Sequence, residues 1–500
     1  MNPGAAAPYR ASAAEPAVPF QAPPVPQTLA ATGLSPEVLT DLILKTLYAQ
    51  GARSGLELHE AVRLPFPLVD ERLLELQQRL FVEVRSSTGT GRGGYVFDLA
   101  GKGRERAREA METNQYVGPA PVPLEQYRAW VEAQTIRRVT VTRDRIRAGF
   151  SHLVLDPKFL EQLGPAINSA KSMFLYGDSG NGKTNLAESI ARLLGGDIFV
   201  PHAVLVDGQI MVIHDPVYHR VRPEPGAEPP GEGPTWLRAA PGYDRRFAHV
   251  SRPVVFTGGE LTLNQLDLEY DTHTRIYQAP FQVKANGGVL IIDDFGRQQV
   301  EPRDLLNRWI VPLEKRVDFL TMHTGHKFPV PFDCLLIFAT NLDPNDLVDE
   351  AFLRRIHYKI NVLSPTYLEY EQIFRRCCVA RQLPFRSDRV RYVYERYYQR
   401  LGIEPRGCHP RDLIDHLYDS ARYLDEEPEL TEELLDRACT SYVLDMPDAP
   451  AVSAGSGEAD EGRQEAGATE SPAPVEPAPA AVEAPVEPAS AVVEAGAPEA

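Results

Sequence analysis

Apolar residues at helical spacing mark a small unit over residues 34–111. Leu39, Ile43 and Leu47 recur every four residues and lie on one side of a predicted helix. Three helices and then two strands are predicted in this unit: helices near residues 36–50, 56–62 and 68–80, and strands at 81–85 and 95–97. The pattern therefore predicts a helical unit that ends in a β-hairpin.

A different pattern begins at residue 150, where short runs of Ile, Leu and Val alternate with amphipathic helices. This alternation predicts an α/β fold, with a parallel sheet and helices on both of its faces. The predicted organisation is as follows: 1–33 disordered, 34–111 the helical unit with its hairpin, 112–149 a proline-containing linker, 150–361 the α/β domain, 362–446 an all-helical domain, and 447–500 a disordered acidic tail.

The two terminal segments are rich in Ala and Pro and contain few residues that could form a core, which predicts disorder. Residues 447–500 hold eleven acidic residues and one arginine, so this segment contributes −10 to the formal net charge of −17. The remaining −7 makes the folded part mildly acidic. Such a balance does not indicate nucleic-acid binding over the whole surface.

Composition also bears on the cellular setting. No apolar run is long enough to cross a bilayer, and the N-terminus lacks the basic and apolar pattern of a secretion signal. The five cysteines have neither paired nor metal-ligand spacing: Cys334, Cys377, Cys378, Cys408 and Cys439. Reduced thiols in the cytoplasm are therefore expected, with no membrane insertion.

The unit at residues 34–111 resembles a winged helix, a fold that often places its third helix in the DNA major groove. That helix carries mixed charges: Asp70, Glu71, Arg72, Glu75 and Arg79. The whole unit has eleven acidic and eleven basic residues, whereas DNA readers concentrate positive charge on the binding face. Protein docking is therefore favoured, and DNA contacts through Arg85 and Arg92 of the hairpin are the alternative.

A glycine-rich loop links a short apolar strand, residues 174–176, to an amphipathic helix. Its residues are Gly177, Asp178, Ser179, Gly180, Asn181, Gly182, Lys183 and Thr184. The glycines allow backbone N–H groups to converge on a phosphate beside the positive end of the helix. Lys183 would reach the β- and γ-phosphates, and the Thr184 hydroxyl would ligate Mg²⁺. Strand, loop and helix together predict a P-loop for ATP or GTP.

A second apolar strand, over residues 289–292, ends in two carboxylates. Asp293 is in the position of the Mg²⁺-associated acid of a P-loop enzyme. Asp294 is placed to orient and deprotonate the attacking water. A third apolar strand, over residues 334–340, ends at Asn341.

The ordered set of P-loop, Asp-Asp strand and Ala-Thr-Asn strand resembles AAA+ ATPases, over roughly residues 150–446. The resemblance extends to residues 350–356, Glu-Ala-Phe-Leu-Arg-Arg-Ile, and to residues 407–413, Gly-Cys-His-Pro-Arg-Asp-Leu. It implies that the all-helical domain is a lid over the nucleotide, that ATP and Mg²⁺ are bound, and that the chain is an Mg²⁺-dependent ATPase. It also implies a homo-oligomer, by default a hexamer.

The same resemblance implies roles for four further residues. Asn341 corresponds to sensor 1, which polarises the water or the γ-phosphate. Arg354 and Arg355 fall in the arginine-finger region, which acts on a neighbouring subunit's nucleotide, and either of them could be the finger. Arg411 corresponds to sensor 2, an arginine of the lid. Polar and cationic groups around one phosphate are what a phosphoryl-transfer transition state requires.

The chain departs from many AAA+ proteins at the second motif, where Asp294 stands in place of glutamate. The shorter side chain favours slow, switch-like turnover.

Three functions stay open at this point. The first is an ATPase that remodels or assembles a macromolecular client, with the winged-helix-like unit docking a protein. The second is a DNA-associated regulator or loader, and the third is a nucleotide-binding scaffold with little turnover.

Two hairpins are predicted inside the α/β domain. Asp207 and Gly208 separate two apolar segments and indicate a type I′ turn. A second hairpin is predicted around residues 317–332, where it could line a pore or decorate the surface. His214, Asp215 and His219 lie close together in sequence, but an ordinary polar loop is favoured there over a metal site.

Overall fold

The computed structural model describes residues 22–87, 89, 91–223, 242–347 and 353–444. The predicted disorder of residues 1–21 and 447–500 lies outside the described residues. Residues 22–33 are described, and the expectation of disorder is wrong for them. They include a one-turn helix, α1 (Leu29–Thr32), in which the Thr28 hydroxyl accepts a hydrogen bond from the Ala31 N–H. Thr32 is fully buried, so this segment is part of the packed structure.

The N-terminal unit has the predicted helices, with one additional strand. Its elements are α2 (Pro36–Gln50), β1 (Arg53–Ser54), α3 (Gly55–Val62), α4 (Phe66–Gln78), β2 (Val82–Ser87), β3 (Tyr95–Leu99) and α5 (Gly101–Thr113). Ser35 caps α2, and Ser54 forms a capping box with Glu57 at the start of α3. The strands pair antiparallel in the order β1-β3-β2. The two-residue strand β1 is too short for any sequence pattern to reveal.

The segment predicted as a linker is structured. It contains β4 (Val122–Pro123), α6 (Leu124–Ala133) and α7 (Arg143–Gly149). The Gln134 side chain donates a hydrogen bond to the Phe199 carbonyl and accepts one from the Phe199 N–H. Asp333, which is 6 % exposed, accepts hydrogen bonds from the Thr135 hydroxyl and the Ile136 N–H. The segment is thus fixed to the α/β domain at several points.

The α/β domain contains the remaining strands. Its elements are α8 (Pro157–Asn168), β5 (Met173–Tyr176), α9 (Lys183–Leu194), β6 (Asp197–Pro201), β7 (Ala203–Val206), β8 (Gln209–Val212), β9 (Phe247–Ser251), β10 (Val254–Thr257), β11 (Glu269–Asp271), β12 (Ile276–Gln278), α10 (Phe281–Lys284), β13 (Val289–Ile292), α11 (Pro302–Lys315), β14 (Val317–Thr321), β15 (Lys327–Pro331), β16 (Leu335–Thr340), α12 (Pro344–Leu347) and β17 (Tyr358–Asn361).

Five of these strands form a parallel sheet in the order β10-β13-β16-β5-β17. On one face, Met173, Leu175 and Ile337 pack in a core with helices α7, α8 and α9. On the other face, Phe174 and Leu290 share a core with residues of α11. Both faces are covered, which explains why these strands are almost entirely apolar. The predicted α/β fold class is confirmed.

A second, mixed sheet has the order β11-β12-β8-β7-β4. The predicted hairpin β7–β8 is present, and its turn residues Asp207 and Gly208 have φ values of 48° and 78°, as a type I′ turn requires. The hairpin β14–β15 is also present. Its residues Leu320, Phe328 and Val330 are at most 3 % exposed and share a core with this sheet, so the hairpin packs on its own chain.

The N-terminal unit shares its core with the mixed sheet. Leu58, Leu73 and Phe97 belong to the same buried cluster as Ala203 and Ile210 of the hairpin β7–β8. The two regions therefore bury apolar surface against each other, and separating them would expose it to water.

A buried arginine links the ends of this shared structure. Arg246 is 2 % exposed and is paired with the carboxylate of Asp244. Its guanidinium also donates hydrogen bonds to the carbonyls of Thr32 and Pro121. A buried charge needs a full set of partners, and the two carbonyls lie 214 and 125 positions away from Arg246 in the sequence. They hold residues 22–33 in place.

The C-terminal described region is helical, as predicted. Its main helices are α13 (Tyr367–Ala380), α14 (Ser387–Val393), α15 (His409–Leu424) and α16 (Glu432–Leu444). A capping box formed by Thr366 and Glu369 starts α13. Tyr370, Phe374 and Leu417 belong to a core that is confined to this region.

His219 is 1 % exposed and is held as a neutral ring. Its Nδ1 accepts a hydrogen bond from the Asp215 N–H, so Nε2 carries the proton that it donates to the Lys284 carbonyl. A second proton would break the first of these bonds. Burial lowers the pKa of His219 to about 4. It also lowers the pKa of His202 to about 3.

Acid is therefore expected to destabilise the protein through His219. Because the folded-state pKa lies below the ordinary value of 6.5, the unfolded chain binds the proton first. Stability is full above about pH 6.5 and falls as the pH decreases towards 4, by up to roughly 3 kcal/mol at ~1.4 kcal/mol per pKa unit. Chemical denaturation of His219→Gln across this range should show a flatter pH dependence than wild type.

The matched control is His326→Gln, at a histidine whose side chain is 56 % exposed. This control should keep the wild-type pH dependence. A His219→Gln variant whose unfolding free energy changes with pH as steeply as that of wild type would contradict the assignment.

Candidate nucleotide site

The loop at residues 177–182 joins the carboxyl end of β5 to the first turn of α9. Gly177 and Gly180 have φ values of 129° and 87°, which side-chain-bearing residues rarely adopt. A Cβ at Gly177 would lie 2.5 Å from the Val362 carbonyl oxygen, and one at Gly180 would lie 2.6 Å from the Cys408 sulfur. The glycines thus permit the loop conformation and its close contact with the C-terminal region. Asp178 and Ser179 are exposed on this loop, and Gly182 caps α9 in the left-handed conformation.

Lys183 begins α9 and is 9 % exposed. Its ammonium group donates hydrogen bonds to the Gly177 and Asp178 carbonyls, over 2.8 and 2.9 Å. Burial lowers the pKa of Lys183, while the charges of Asp293, Asp178 and Asp294 oppose that shift. The loop therefore surrounds a cation at the positive end of a helix, which is an arrangement that attracts an anion.

The Thr184 hydroxyl donates a hydrogen bond of 2.6 Å to Oδ2 of Asp293. These residues are 109 positions apart in the sequence, and the parallel sheet brings them together because β5 and β13 end at the same edge. A hydroxyl and a carboxylate are hard oxygen donors, the kind that Mg²⁺ prefers. The predicted metal pair is thus assembled, and its chemistry fits a magnesium ion.

Asp294 follows directly and is exposed. Its φ of 48° lies in the left-handed region, and its N–H donates a hydrogen bond to Oδ1 of Asp293. The next N–H, that of Phe295, donates to the Ala339 carbonyl of β16. The left-handed turn separates the two carboxylates, so that Asp293 contacts the P-loop and Asp294 faces outward.

Asn341 lies at the end of β16, the strand between β5 and β13. Its Oδ1 atom is buried, and no hydrogen-bond partner for it occurs among the described residues. A buried carbonyl oxygen of this kind usually has a hydrogen-bond partner. This one lies between the strand ends that carry the P-loop and the Asp-Asp pair. The Thr340 hydroxyl fixes the same strand end by donating to the Phe295 carbonyl.

The parallel sheet thus carries its polar residues at one edge: the P-loop after β5, the paired carboxylates after β13, and Asn341 after the intervening β16. This is the arrangement that the sequence resemblance implies. The α/β domain thus has the fold that this resemblance predicts, a five-stranded parallel sheet with helices on both faces.

Several solved structures resemble the chain only distantly. The Thermotoga maritima RuvB Holliday junction branch migration motor is 14% identical with a TM-score of 0.32, over 62% of this chain and 74% of that chain. Domain III of the replication initiation protein DnaA from Thermotoga maritima is 12% identical with a TM-score of 0.32, over 59% and 95%. NtrX from Brucella abortus is 13% identical with a TM-score of 0.35, over 59% and 56%. These likenesses are too remote to indicate what the chain acts on.

A family model described as a domain of unknown function, DUF8689, matches residues 366–441. This range falls within the helical region that follows β17. No curated protein matches the chain significantly.

The helical region contacts the P-loop directly. The Cys408 N–H donates to the Gly180 carbonyl over 2.9 Å, and the Gly407 N–H donates to Oδ1 of Asn181 over 3.2 Å. The Asn181 amide also donates to the Ser364 hydroxyl. Asn181 therefore links the P-loop both to the connection that follows β17 and to the segment that precedes α15.

Arg406 is the cation of the helical region that lies at the P-loop. Its Cβ and Cδ atoms are each 3.6 Å from the position that a Cβ on Gly180 would occupy. Its charge also contributes to lowering the pKa of Lys183. No sequence pattern marks Arg406, although it stands immediately before the Gly-Cys-His-Pro-Arg motif. Arg411, the residue that the resemblance assigns to sensor 2, is 65 % exposed and pairs with its neighbour Asp412 over 2.9 Å.

Arg354 and Arg355 lie between α12 and β17, and the first three residues of their motif, 350–352, are outside the described residues. Arg354 is exposed. Arg355 donates to the Glu314 carboxylate on α11 over 2.6 Å. Arg355 is thus engaged by a carboxylate of its own chain.

Two further findings concern the described part of the chain. Within it, no helix is both long and apolar enough to span a membrane. The same residues contain no group of three His, Cys, Asp or Glu side chains arranged to hold a metal ion. Asp215, near the histidines, is instead paired with Lys284 over 2.9 Å.

Proposed function

We propose that the chain is an Mg²⁺-dependent ATPase. The contact between the Thr184 hydroxyl and the Asp293 carboxylate carries this proposal, since it joins the P-loop to the Asp-Asp strand. Magnesium would be held by these two residues together with nucleotide oxygens, and it would neutralise charge on the phosphates.

The chain's own residues supply the other roles. Lys183 binds the phosphates, because its ammonium lies at the helix N-terminus within the loop. Asp294 accepts a proton from the attacking water, since its carboxylate is exposed beside Asp293. Asn341 orients the water or the γ-phosphate through its side-chain amide, whose Oδ1 atom is buried without a partner among the described residues. Arg406 adds a second cation at the P-loop.

Phosphate release tests the proposal. Lys183→Ala should reduce the rate at least about 100-fold, because a cation at the transferred phosphate is removed. Removing Mg²⁺ with EDTA should have a comparable effect. Lys171→Ala, at an exposed lysine two residues before β5, is the matched control and should hydrolyse ATP at the wild-type rate. Equal rates of phosphate release for Lys183→Ala and wild type would exclude the ATPase, and the nucleotide-binding scaffold would then be the remaining function.

The proposal includes an oligomer, with a hexamer as the default, in which Arg354 or Arg355 acts on a neighbouring subunit's nucleotide. Arg354 is the first to test because it is the more exposed of the two. Loss of a finger should slow hydrolysis by about 10³-fold or more. Mixing Arg354→Ala with Lys183→Ala should restore activity in part, since one variant keeps its finger and the other keeps its site. No recovery on mixing would count against action between subunits.

The ATPase is proposed to remodel or assemble a macromolecular client through the winged-helix-like unit. The observation in favour is that the two hairpin arginines that could contact DNA are each paired with a carboxylate: Arg92 with Asp70, and Arg85 with Asp98. Such a surface suits a protein client better than a phosphate backbone. The cytoplasmic setting stays a prediction.

A further inference from the structure

One basic stretch of this acidic chain lies outside both the nucleotide site and the winged-helix-like unit. Residues 137–171 hold seven Lys or Arg residues and three Asp or Glu residues, a net charge of +4 in a chain of −17. The arginines are concentrated in α7 and the turn that precedes it. The proposed ATPase chemistry does not account for this local positive charge.

Helices α7 and α8 form a groove of about 670 Å³ in this region. Arg143 and Arg147 line it, and because they are four residues apart they lie on the same face of α7. Its floor is formed by Val141, Ile146 and Leu160. We call this floor with Arg143 and Arg147, together with the exposed Arg138 of the turn that precedes α7, the arginine groove.

The cations of the arginine groove are exposed and only partly neutralised. Arg143 pairs with Glu161, which also lines the groove. Arg138 donates to the Ala133 carbonyl, a neutral partner. Arg147 has no carboxylate within ion-pair distance among the described residues. In the winged-helix-like unit, by contrast, Arg85, Arg92 and Arg106 are each paired with a carboxylate.

We propose that the arginine groove binds the phosphodiester backbone of a nucleic acid. A guanidinium can donate two parallel hydrogen bonds to a phosphate, which favours arginine over lysine at such sites. Arg143 and Arg147 are about 6 Å apart along the helix, close to two phosphate steps of about 3.4 Å on one DNA strand.

The groove's chemistry also defines the kind of recognition. No aromatic side chain lines it, so it offers no surface on which a base could stack. Contacts limited to phosphates position a nucleic acid without reading its sequence. The binding is therefore independent of sequence and sensitive to salt.

The inference does not rest on the proposed ATPase activity, since none of these arginines belongs to the nucleotide site. The full chain is tested, without nucleotide, by fluorescence anisotropy with a labelled DNA duplex and the matching single strand. The variant is Arg138→Gln/Arg143→Gln/Arg147→Gln. The control is Arg85→Gln/Arg92→Gln/Arg106→Gln, which removes the same charge from the winged-helix-like unit.

Wild type and the control are expected to bind DNA, with affinity falling steeply between ~50 and ~200 mM salt. The groove variant should bind at least about tenfold more weakly, and its salt slope should decrease by roughly one for each arginine lost. Phosphate release by the groove variant should equal that of wild type, which separates this result from failure of the ATPase proposal. Thermal unfolding at the wild-type temperature would show that the variant is folded.

Three results would overturn the inference. One is no binding of either DNA by wild type at low salt. Another is equal loss of binding in the control and the groove variant, which would place the contact elsewhere. The third is displacement of DNA by polyglutamate as effective as displacement by unlabelled DNA, which would indicate an acidic protein segment instead.

Discussion

Asp294→Asn is expected to reduce steady-state ATP hydrolysis by about 10²–10⁴-fold while ATP binding is retained. The amide cannot accept the proton of the attacking water, but it has the same size as the carboxylate. Asparagine also tolerates the left-handed backbone found at this position, where φ is 48°. Phosphate release and the affinity for a fluorescent ATP analogue should therefore respond separately to this change.

Asp293→Asn is the comparison, because Asp293 accepts the Thr184 hydrogen bond. This substitution weakens the proposed magnesium site, so nucleotide affinity in the presence of Mg²⁺ should fall together with the rate. Asp294→Glu is the third variant. It restores the longer carboxylate of many AAA+ proteins, and it should raise the rate of ATP hydrolysis if the short side chain limits turnover. Hydrolysis by Asp294→Asn at the wild-type rate would show that another group activates the water.

Arg406→Ala is expected to weaken ATP binding or hydrolysis by about 10- to 100-fold, the effect of losing one hydrogen bond to a charged phosphate at roughly 1.5–3 kcal/mol. The reason is its position, with two side-chain carbons packed against Gly180 of the P-loop. Arg411→Ala is the matched control in the same helical region, and because Arg411 pairs with Asp412 it should change either quantity less than about threefold.

The opposite ranking would be equally informative. A larger loss in Arg411→Ala than in Arg406→Ala would mean that α15 turns when ATP binds and brings Arg411 to the phosphates, as the AAA+ resemblance implies. Titration of both variants with the ATP analogue, followed by phosphate release, distinguishes the two arginines.

Much of the nucleotide site could be predicted because its chemistry is local in the sequence. The P-loop occupies eight consecutive residues, and the two carboxylates directly follow an apolar strand. Even the contact between Thr184 and Asp293 follows from the sequence, since the carboxyl ends of parallel strands meet at one edge of the sheet. The β7–β8 turn is likewise local, because Asp207 and Gly208 accept positive φ at little cost.

Other features depend on contacts between distant segments. Residues 22–33 are compositionally like a disordered tail, yet they are ordered because Arg246 donates to the Thr32 carbonyl from 214 positions away. The segment 112–149 contains prolines and reads as a linker, but Asp333 and Phe199 fix it to the α/β domain. Composition cannot reveal such partners.

The sequence by itself thus determined the α/β class, the P-loop, the acidic strand end and the order of the helices, since each depends on the periodicity or spacing of neighbouring residues. The tertiary structure decided which arginine of the helical region lies at the P-loop, which arginines are neutralised by carboxylates, and that the N-terminal unit shares a core with the mixed sheet. Those outcomes depend on the packing of whole elements, because a side chain's partners are set by where the distant backbone places them.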